Sequence, residues 1–127
     1  LPKEYKKFIE EFSRQDEVSP ATNIWIVKPT NESRGRGIFL ANEISQVAYS
    51  DEMICQRYCC NPLLLDGYKW DLRLYVMVTS VRPLEVFLHK EGFARLSTEQ
   101  YSNDPSTLDN LFVHLTNSSI QSKSHPR

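Results

Sequence analysis

Residues 70–79, Trp-Asp-Leu-Arg-Leu-Tyr-Val-Met-Val-Thr (WDLRLYVMVT), form the stretch that decides the fold class. The first half alternates between apolar and charged residues and the second half is largely apolar, which predicts a β-strand. We therefore expect one continuous strand over these ten positions. The dipeptide at 82–83 (RP) predicts a turn, so residues 85–89 (EVFLH) should return as the second strand of a hairpin.

The elements around this hairpin follow from periodicity and from glycine and proline positions. On the amino-terminal side the sequence predicts an amphipathic helix at 2–15, a buried strand at 24–28, a mobile glycine-containing loop at 30–37, and strands at 38–41 and 53–58. On the carboxy-terminal side it predicts a strand at 93–97, a loop at 102–109, a strand end at 111–115 and a disordered tail at 121–127. The fold class expected is α+β, with a mainly antiparallel sheet and flanking helices.

Bulk composition limits the class of protein. The chain has 127 residues, enough for one domain or part of one, with 40% hydrophobic residues and a net charge of −1. We expect no membrane partner, because no apolar run approaches the ~20 residues of a span. No signal peptide is recognisable, and we expect an intracellular protein. A general nucleic-acid binder would be strongly basic, so no nucleic-acid partner is expected.

The chain has three cysteines, Cys55, Cys59 and Cys60. An odd number of cysteines within six residues does not fit a secreted disulfide framework. We interpret them as reduced packing thiols. A zinc site would need a fourth donor, so we predict no metal site among these residues.

The segment 69–73 carries the most informative chemistry. Strand alternation places Lys69, Asp71 and Arg73 on one face, with Trp70 and Leu72 on the other. A solvated face with weak neighbouring ion pairs would explain this pattern. The functional alternative is an electropositive cleft wall, in which arginine holds a planar anion and lysine supplies a point charge.

A second cationic region lies at the end of the predicted strand 24–28. Lys28 precedes Pro29 and could project toward a phosphate, while the following loop could bring backbone amides close to phosphate oxygens. An ordinary solvated hairpin tip and an RGG-like RNA segment are the alternatives. The loop residues concerned are Arg34, Gly35, Arg36 and Gly37.

Two more polar features complete the candidate set. The cluster HLTN contains His114, Thr116 and Asn117, which could bind a ribose or a base edge. A satisfied structural histidine with an asparagine turn explains it equally well. Arg95 is either a surface arginine or another phosphate contact.

Taken in order, several motifs resemble the tubulin tyrosine ligase-like family of ATP-grasp ligases. They are IVKPTNESRGRGI, QRYCCNPLLLDGYKWDLRLYV, GFARLS and LDNLFVHLTNSSIQ. The resemblance runs from about residue 24 to residue 121 and is specific in combination, although each piece alone is weak. One departure is the pair after QRY, where two cysteines replace the commoner isoleucine and acid.

The resemblance implies a partial ATP-grasp fold in which ATP lies between two antiparallel sheets. Its γ-phosphate would pass to a carboxylate, and an amine would attack the acyl-phosphate to form an amide. Arg73, on the phosphate side, and Arg95, near the phosphoryl or acyl-phosphate group, are the implied catalytic residues. Gln56, Arg57 and Tyr58 would follow the adenine edge, mainly through backbone groups. The implied nucleotide-binding residues are Lys28, Arg34, Gly35, Arg36, Gly37, Gln56, Arg57, Tyr58, Lys69, Asp71, His114, Thr116 and Asn117.

The same resemblance implies Mg²⁺ as a second cofactor, with its acidic ligands expected downstream of this chain. The segment would then be the central nucleotide-binding part of the domain, without its amino-terminal region. The favoured activity is addition of glutamate to tubulin or microtubules. The alternatives are a glycylating relative and a truncated, inactive nucleotide-binding remnant. The implied location is the cytoplasm and cytoskeleton, including the cilium, basal body or flagellum.

Overall fold

The structure is a computed structural model that describes residues 2–49 and 52–124. Helix α1 (Lys3–Val18) confirms the predicted amphipathic helix and extends it beyond residue 15. Its aromatic side chains pack on the first strand, with the Phe8 and Phe12 rings centred 5.1 and 6.3 Å from the Trp25 ring. The strands are β1 (Trp25–Pro29), β2 (Phe39–Ala41), β3 (Met53–Arg57), β4 (Leu64–Leu65), β5 (Tyr68–Arg73), β6 (Val76–Val81), β7 (Leu84–Leu88) and β8 (Phe93–Gln100).

The first sheet has β1 at its centre, antiparallel to β2 and β3. Alternation along β1 gives the sheet two buried faces. Val27 packs in a core cluster with Ala41 on the side that partly buries Phe8 of α1. Ile26 packs in the second cluster, together with Tyr58. This second face leads toward the carboxy-terminal half of the chain.

The predicted continuous strand over residues 70–79 is wrong. Its first half belongs to β5, which pairs with β4 and β8, whereas its second half belongs to β6, which pairs only with β7 among the described residues. Leu74 and Tyr75 interrupt the strand between the two ladders. Periodicity reports only extended backbone, so it could not reveal a change of partner within an apolar run.

The β6–β7 hairpin is confirmed, with the predicted turn at Arg82–Pro83. Its apolar residues are exposed on both faces, so the hairpin contributes little to the described core. These residues are Val76, Met77, Val78, Val81, Leu84, Val86, Phe87 and Leu88.

The carboxy-terminal segment corrects two further predictions. Residues 111–114 form helix α2 (Leu111–His114) instead of a strand end, because the side chain of Asn110 caps the helix by accepting from Phe112 N–H at 3.1 Å. The predicted disorder from residue 121 is wrong at its start, since Gln121 is buried in helix α3 (Ser118–Gln121). Residues 125–127 of that prediction lie outside the described residues.

The architecture is α+β with antiparallel sheets, as predicted. The described part of the chain contains no helix with the length and apolar character that a membrane span requires.

Candidate functional site

Three polar side chains project from one face of the first sheet. Lys28 and Gln56 share this face with Ile26, because β1 and β3 are in antiparallel register. The Lys28 ammonium donates to Gln56 Oε1 at 2.7 Å. Tyr58, which follows β3, is buried on the same side. These residues form one wall of the candidate site.

Lys69, on β5, joins this wall to the sheet formed by β4, β5 and β8. Its ammonium donates to the Tyr58 hydroxyl at 2.8 Å and to the backbone carbonyl of His114 at 2.9 Å. It also lies 4.3 Å from the centre of the Tyr58 ring, within cation–π range. Burial lowers the pKa of Lys69, because a low-dielectric surrounding disfavours the charged form.

His114 is almost fully buried, with 1% of its surface exposed. One ring nitrogen, Nδ1, lies 3.1 Å from the Tyr58 hydroxyl, and the other, Nε2, lies 3.1 Å from the Thr107 carbonyl oxygen. Burial lowers the pKa of His114 and raises the pKa of Tyr58, so both groups are neutral at neutral pH. Both ring nitrogens therefore have partners within the chain, and a nucleotide contact of His114 stays a prediction.

Asp71 and Arg95 face each other across the β5–β8 ladder. Arg95 donates from Nε to Oδ1 at 2.7 Å and from Nη2 to Oδ2 at 2.9 Å, which is a forked ion pair. The Thr116 hydroxyl donates to the same Oδ2. Desolvation acts to raise the pKa of Asp71, but these hydrogen bonds outweigh it and the pKa is lowered. Asp71 therefore positions Arg95 and Thr116.

Arg73 and Arg57 are placed differently. By alternation along β5, Arg73 lies on the face of Lys69 and Asp71, where its exposed guanidinium has no hydrogen bond or ion pair among residues 2–49 and 52–124. Arg57 is opposite Trp25 in the β1–β3 ladder and therefore faces α1. An adenine contact through its backbone stays a prediction.

The glycine loop is docked against α3. Ser119 Oγ donates to the carbonyl oxygen of Arg34 at 2.6 Å, and Gly35 is buried beside Ile120. A cleft of about 830 Å³ lies between the loop and the two short helices, and both loop arginines line it. Arg36 also pairs with Glu32 at 3.0 Å. The Asn117 side chain lies beside Gly35 and therefore faces the loop.

A sequence model of the Tubulin-tyrosine ligase family matches residues 1–127. The chain belongs to this family. It is 44% identical to "Probable alpha-tubulin polyglutamylase Ttll1" of Tetrahymena thermophila, over 95% of the chain and 32% of that protein. It is 43% identical to "Tubulin polyglutamylase TTLL5" of Homo sapiens, over 98% of the chain and 9% of that protein. It is 42% identical to human "Probable tubulin polyglutamylase TTLL2", over 94% of the chain and 20% of that protein.

The family predicted from the motifs is thus confirmed, and the chain spans between 9% and 32% of the length of these relatives. The individual residue roles that the resemblance implied stay predictions. The structure brings eight of the predicted site residues together, namely Lys28, Gln56, Tyr58, Lys69, Asp71, Arg95, His114 and Thr116.

The described residues contain no cluster of side chains that would hold a metal ion by themselves. No group of three or more His, Cys, Asp or Glu side chains converges within residues 2–49 and 52–124. Asp71, the acidic residue of the candidate site, already contacts Arg95 and Thr116. The Mg²⁺ cofactor that the family resemblance implied stays a prediction.

Gln121 is a positioning residue that the sequence analysis did not single out. Its amide oxygen accepts from the Thr98 backbone N–H at 2.8 Å and from the Thr98 hydroxyl at 2.6 Å. Its amide nitrogen donates to the carbonyl oxygens of Phe112 and Leu115. It therefore ties the segment before Thr116 to β8. A single glutamine near a polar tail carries no periodic signal that would have revealed this.

Proposed function

We propose that this chain is the nucleotide-holding part of an ATP-dependent ligase that adds glutamate to tubulin. Three relatives, each at least 42% identical to this chain, are named as known or probable tubulin polyglutamylases. Formation of an amide from a carboxylate requires activation, and transfer of the ATP γ-phosphoryl group to that carboxylate would provide it. Attack by an amine then forms the amide and releases phosphate. Placed cations would stabilise the negative charge at both steps.

The observation that carries the proposal is the environment of Lys69. Its ammonium donates to two neutral oxygens, those of Tyr58 and His114, and a charged lysine has a third N–H to offer. The acidic residue Asp71 attracts it only at longer range, because Arg95 occupies that carboxylate. A partly buried cation without a contacting carboxylate is costly. A polyphosphate would supply the missing anion.

Neighbouring cations support the same ligand class. Lys28 lies close enough to Lys69 to lower the pKa of that lysine further, and Arg73 lies close enough to Asp71 to lower its pKa. Several positive groups around one face fit a nucleotide polyphosphate better than a neutral ligand. Magnesium belongs to the same proposal, with ligands from outside the described residues. The cytoskeleton is the location that this activity requires.

The test uses the full natural protein that contains this segment. Incorporation of labelled glutamate into tubulin should depend on ATP and should fall at least a hundredfold in Arg73→Ala, because an exposed guanidinium near the phosphates would be lost. Thermal unfolding should change little, since Arg73 has no partner in the described chain. Arg82→Ala, at the turn of the exposed hairpin, is the matched control and should keep its activity.

Retained incorporation in Arg73→Ala would contradict the proposed role of Arg73. The same assay with labelled glycine in place of glutamate tests the glycylating alternative, which predicts incorporation of glycine. An absence of incorporation with either amino acid, together with ATP binding, would identify an inactive nucleotide-binding protein.

A further inference from the structure

Tyr58 and His114 are buried residues that both contact the Lys69 ammonium, Tyr58 through its hydroxyl and His114 through its backbone carbonyl. The proton positions can be assigned from the chemistry of the partners. The carbonyl oxygen of Thr107, 3.1 Å from His114 Nε2, can only accept a hydrogen bond. In the neutral ring the proton therefore sits on Nε2, which leaves Nδ1 as an acceptor.

This assignment fixes the direction of the remaining bonds. The Tyr58 hydroxyl must donate its hydrogen to His114 Nδ1, at 3.1 Å. Its oxygen lone pairs then accept from the Lys69 ammonium, at 2.8 Å. The backbone carbonyl of His114 accepts a second hydrogen from the same ammonium, at 2.9 Å. We call this chain of bonds, from Lys69 through Tyr58 and His114 to Thr107, the lysine relay.

We propose that Tyr58 and His114 are positioning residues that hold the Lys69 ammonium in one orientation, with its third N–H directed at a phosphate oxygen of the nucleotide. This inference rests on the proposed function, because the anion is the one that the ligase would bind. A lysine side chain has several rotatable bonds, so fixing it beforehand reduces the entropy that binding would cost. Two acceptors and two aromatic faces, those of Tyr58 and Tyr101 at 4.3 and 5.9 Å from the ammonium, achieve this without a carboxylate, which would compete with the phosphate for the ammonium.

Tyr101 distinguishes the relay from ordinary aromatic packing. Its ring lies 5.8 Å from the His114 ring, which is nearly the 5.7 Å that separates Tyr58 from His114. Its hydroxyl, however, donates to Asn103 Oδ1 at 2.8 Å and lies 3.1 Å from the carbonyl oxygen of Cys60. Phenylalanine at either position keeps a ring against the same histidine, but only the Tyr58 hydroxyl contacts Lys69.

The experiment compares Tyr58→Phe with Tyr101→Phe in the full natural protein. Dissociation constants for ATP and for adenosine are measured by calorimetry, and stability by thermal unfolding. For Tyr58→Phe we expect ATP affinity to fall about tenfold while adenosine affinity stays unchanged, because only phosphate contacts depend on Lys69. For Tyr101→Phe we expect both affinities to stay at their wild-type values.

The relay would be overturned if Tyr58→Phe bound ATP with wild-type affinity. It would also be overturned if Tyr58→Phe lost as much affinity for adenosine as for ATP, or if Tyr101→Phe lost as much ATP affinity as Tyr58→Phe. A wild-type protein that binds no ATP would instead overturn the proposed function. In that case a double-mutant cycle tests the relay: the change in unfolding free energy is measured by thermal unfolding for Tyr58→Phe, for Lys69→Met and for the double variant. A measurable coupling supports the relay as the device that holds Lys69, and a coupling of zero within error contradicts it.

Discussion

Arg95 binds both carboxylate oxygens of Asp71 across the β5–β8 ladder, at 2.7 and 2.9 Å. The two side chains are 24% and 36% exposed, so the pair sits at the boundary between the core and the candidate site. Asp71 therefore determines where the Arg95 guanidinium lies. In the proposed ligase, this pair would position an arginine near the phosphoryl group.

Asp71→Asn should disorient Arg95. The carboxamide keeps the shape of the side chain but loses the charge and one acceptor, so we expect a loss of about 1 kcal/mol in the free energy of unfolding. Ligase activity should fall more than stability, by about a hundredfold, because a misplaced arginine no longer meets the developing charge. Chemical denaturation and glutamate incorporation measure the two effects.

Asp66→Asn is the control for this substitution. Asp66 has φ +50 in an exposed turn, a conformation that asparagine also adopts readily. It should leave stability and activity unchanged. Equal losses in Asp66→Asn and Asp71→Asn would show that the charge change itself, and not the contact with Arg95, matters.

The contribution of Asp71 should depend on pH. Its pKa is lowered in the folded state, so the unfolded chain takes up the proton first as the pH falls. The stability difference between wild type and Asp71→Asn should be constant from about pH 5 to pH 7, and it should shrink below about pH 4. Urea denaturation at a series of pH values tests this. A difference that stays constant down to about pH 3 would contradict the assigned ion pair.

Lys69→Met should leave the free energy of unfolding unchanged or increase it, because methionine fills the same space without a buried charge. Since burial lowers the pKa of Lys69, the folded state binds the proton more weakly than the unfolded state. The free energy of unfolding of the wild type relative to that of Lys69→Met should therefore rise with pH as the folded lysine loses its proton, up to about pH 10.4. Lys90→Met, on an exposed turn, serves as the control. A large destabilisation by Lys69→Met alone would mean that the lysine serves the fold.

Gly35→Ala should undock the glycine loop. Gly35 has φ +78, and an added Cβ would lie 2.5 Å from Ile120 Cδ1. We expect a loss of about 1–2 kcal/mol from the combined backbone strain and overlap. Ile120→Val removes the Cδ1 atom, so the double variant should recover part of this loss relative to Ile120→Val alone. Thermal unfolding measures the cycle.

Gly67→Ala separates strain from overlap. Gly67 has φ +85, but its added Cβ would meet nothing closer than Gln100 Nε2 at 3.8 Å. It should therefore show only the backbone part of the cost, about 1 kcal/mol. If both alanine variants lose the same stability, the contact between Gly35 and Ile120 contributes nothing.

Local patterns predicted the helix, the strands of the first sheet and the β6–β7 hairpin, because each depends on neighbouring residues and on turn chemistry. They failed where partners distant in sequence decide the structure. The alternation of Lys69, Asp71 and Arg73 indicated their common face, but it could not show that Asp71 pairs with Arg95. The HLTN cluster drew attention to His114, whereas its partner Tyr58, 56 positions earlier, was considered mainly for its backbone. Long-range contacts of single polar residues leave no period in a sequence.

The central claim is that Lys69 is held in place for the phosphates of a nucleotide. The most direct measurement is calorimetric titration of ATP and of adenosine into the full natural protein and its Lys69→Met variant. We expect the wild type to bind ATP at least a hundredfold more tightly than adenosine, and the variant to lose most of that difference while its thermal unfolding is unimpaired. A folded Lys69→Met protein that binds ATP with wild-type affinity would contradict the account.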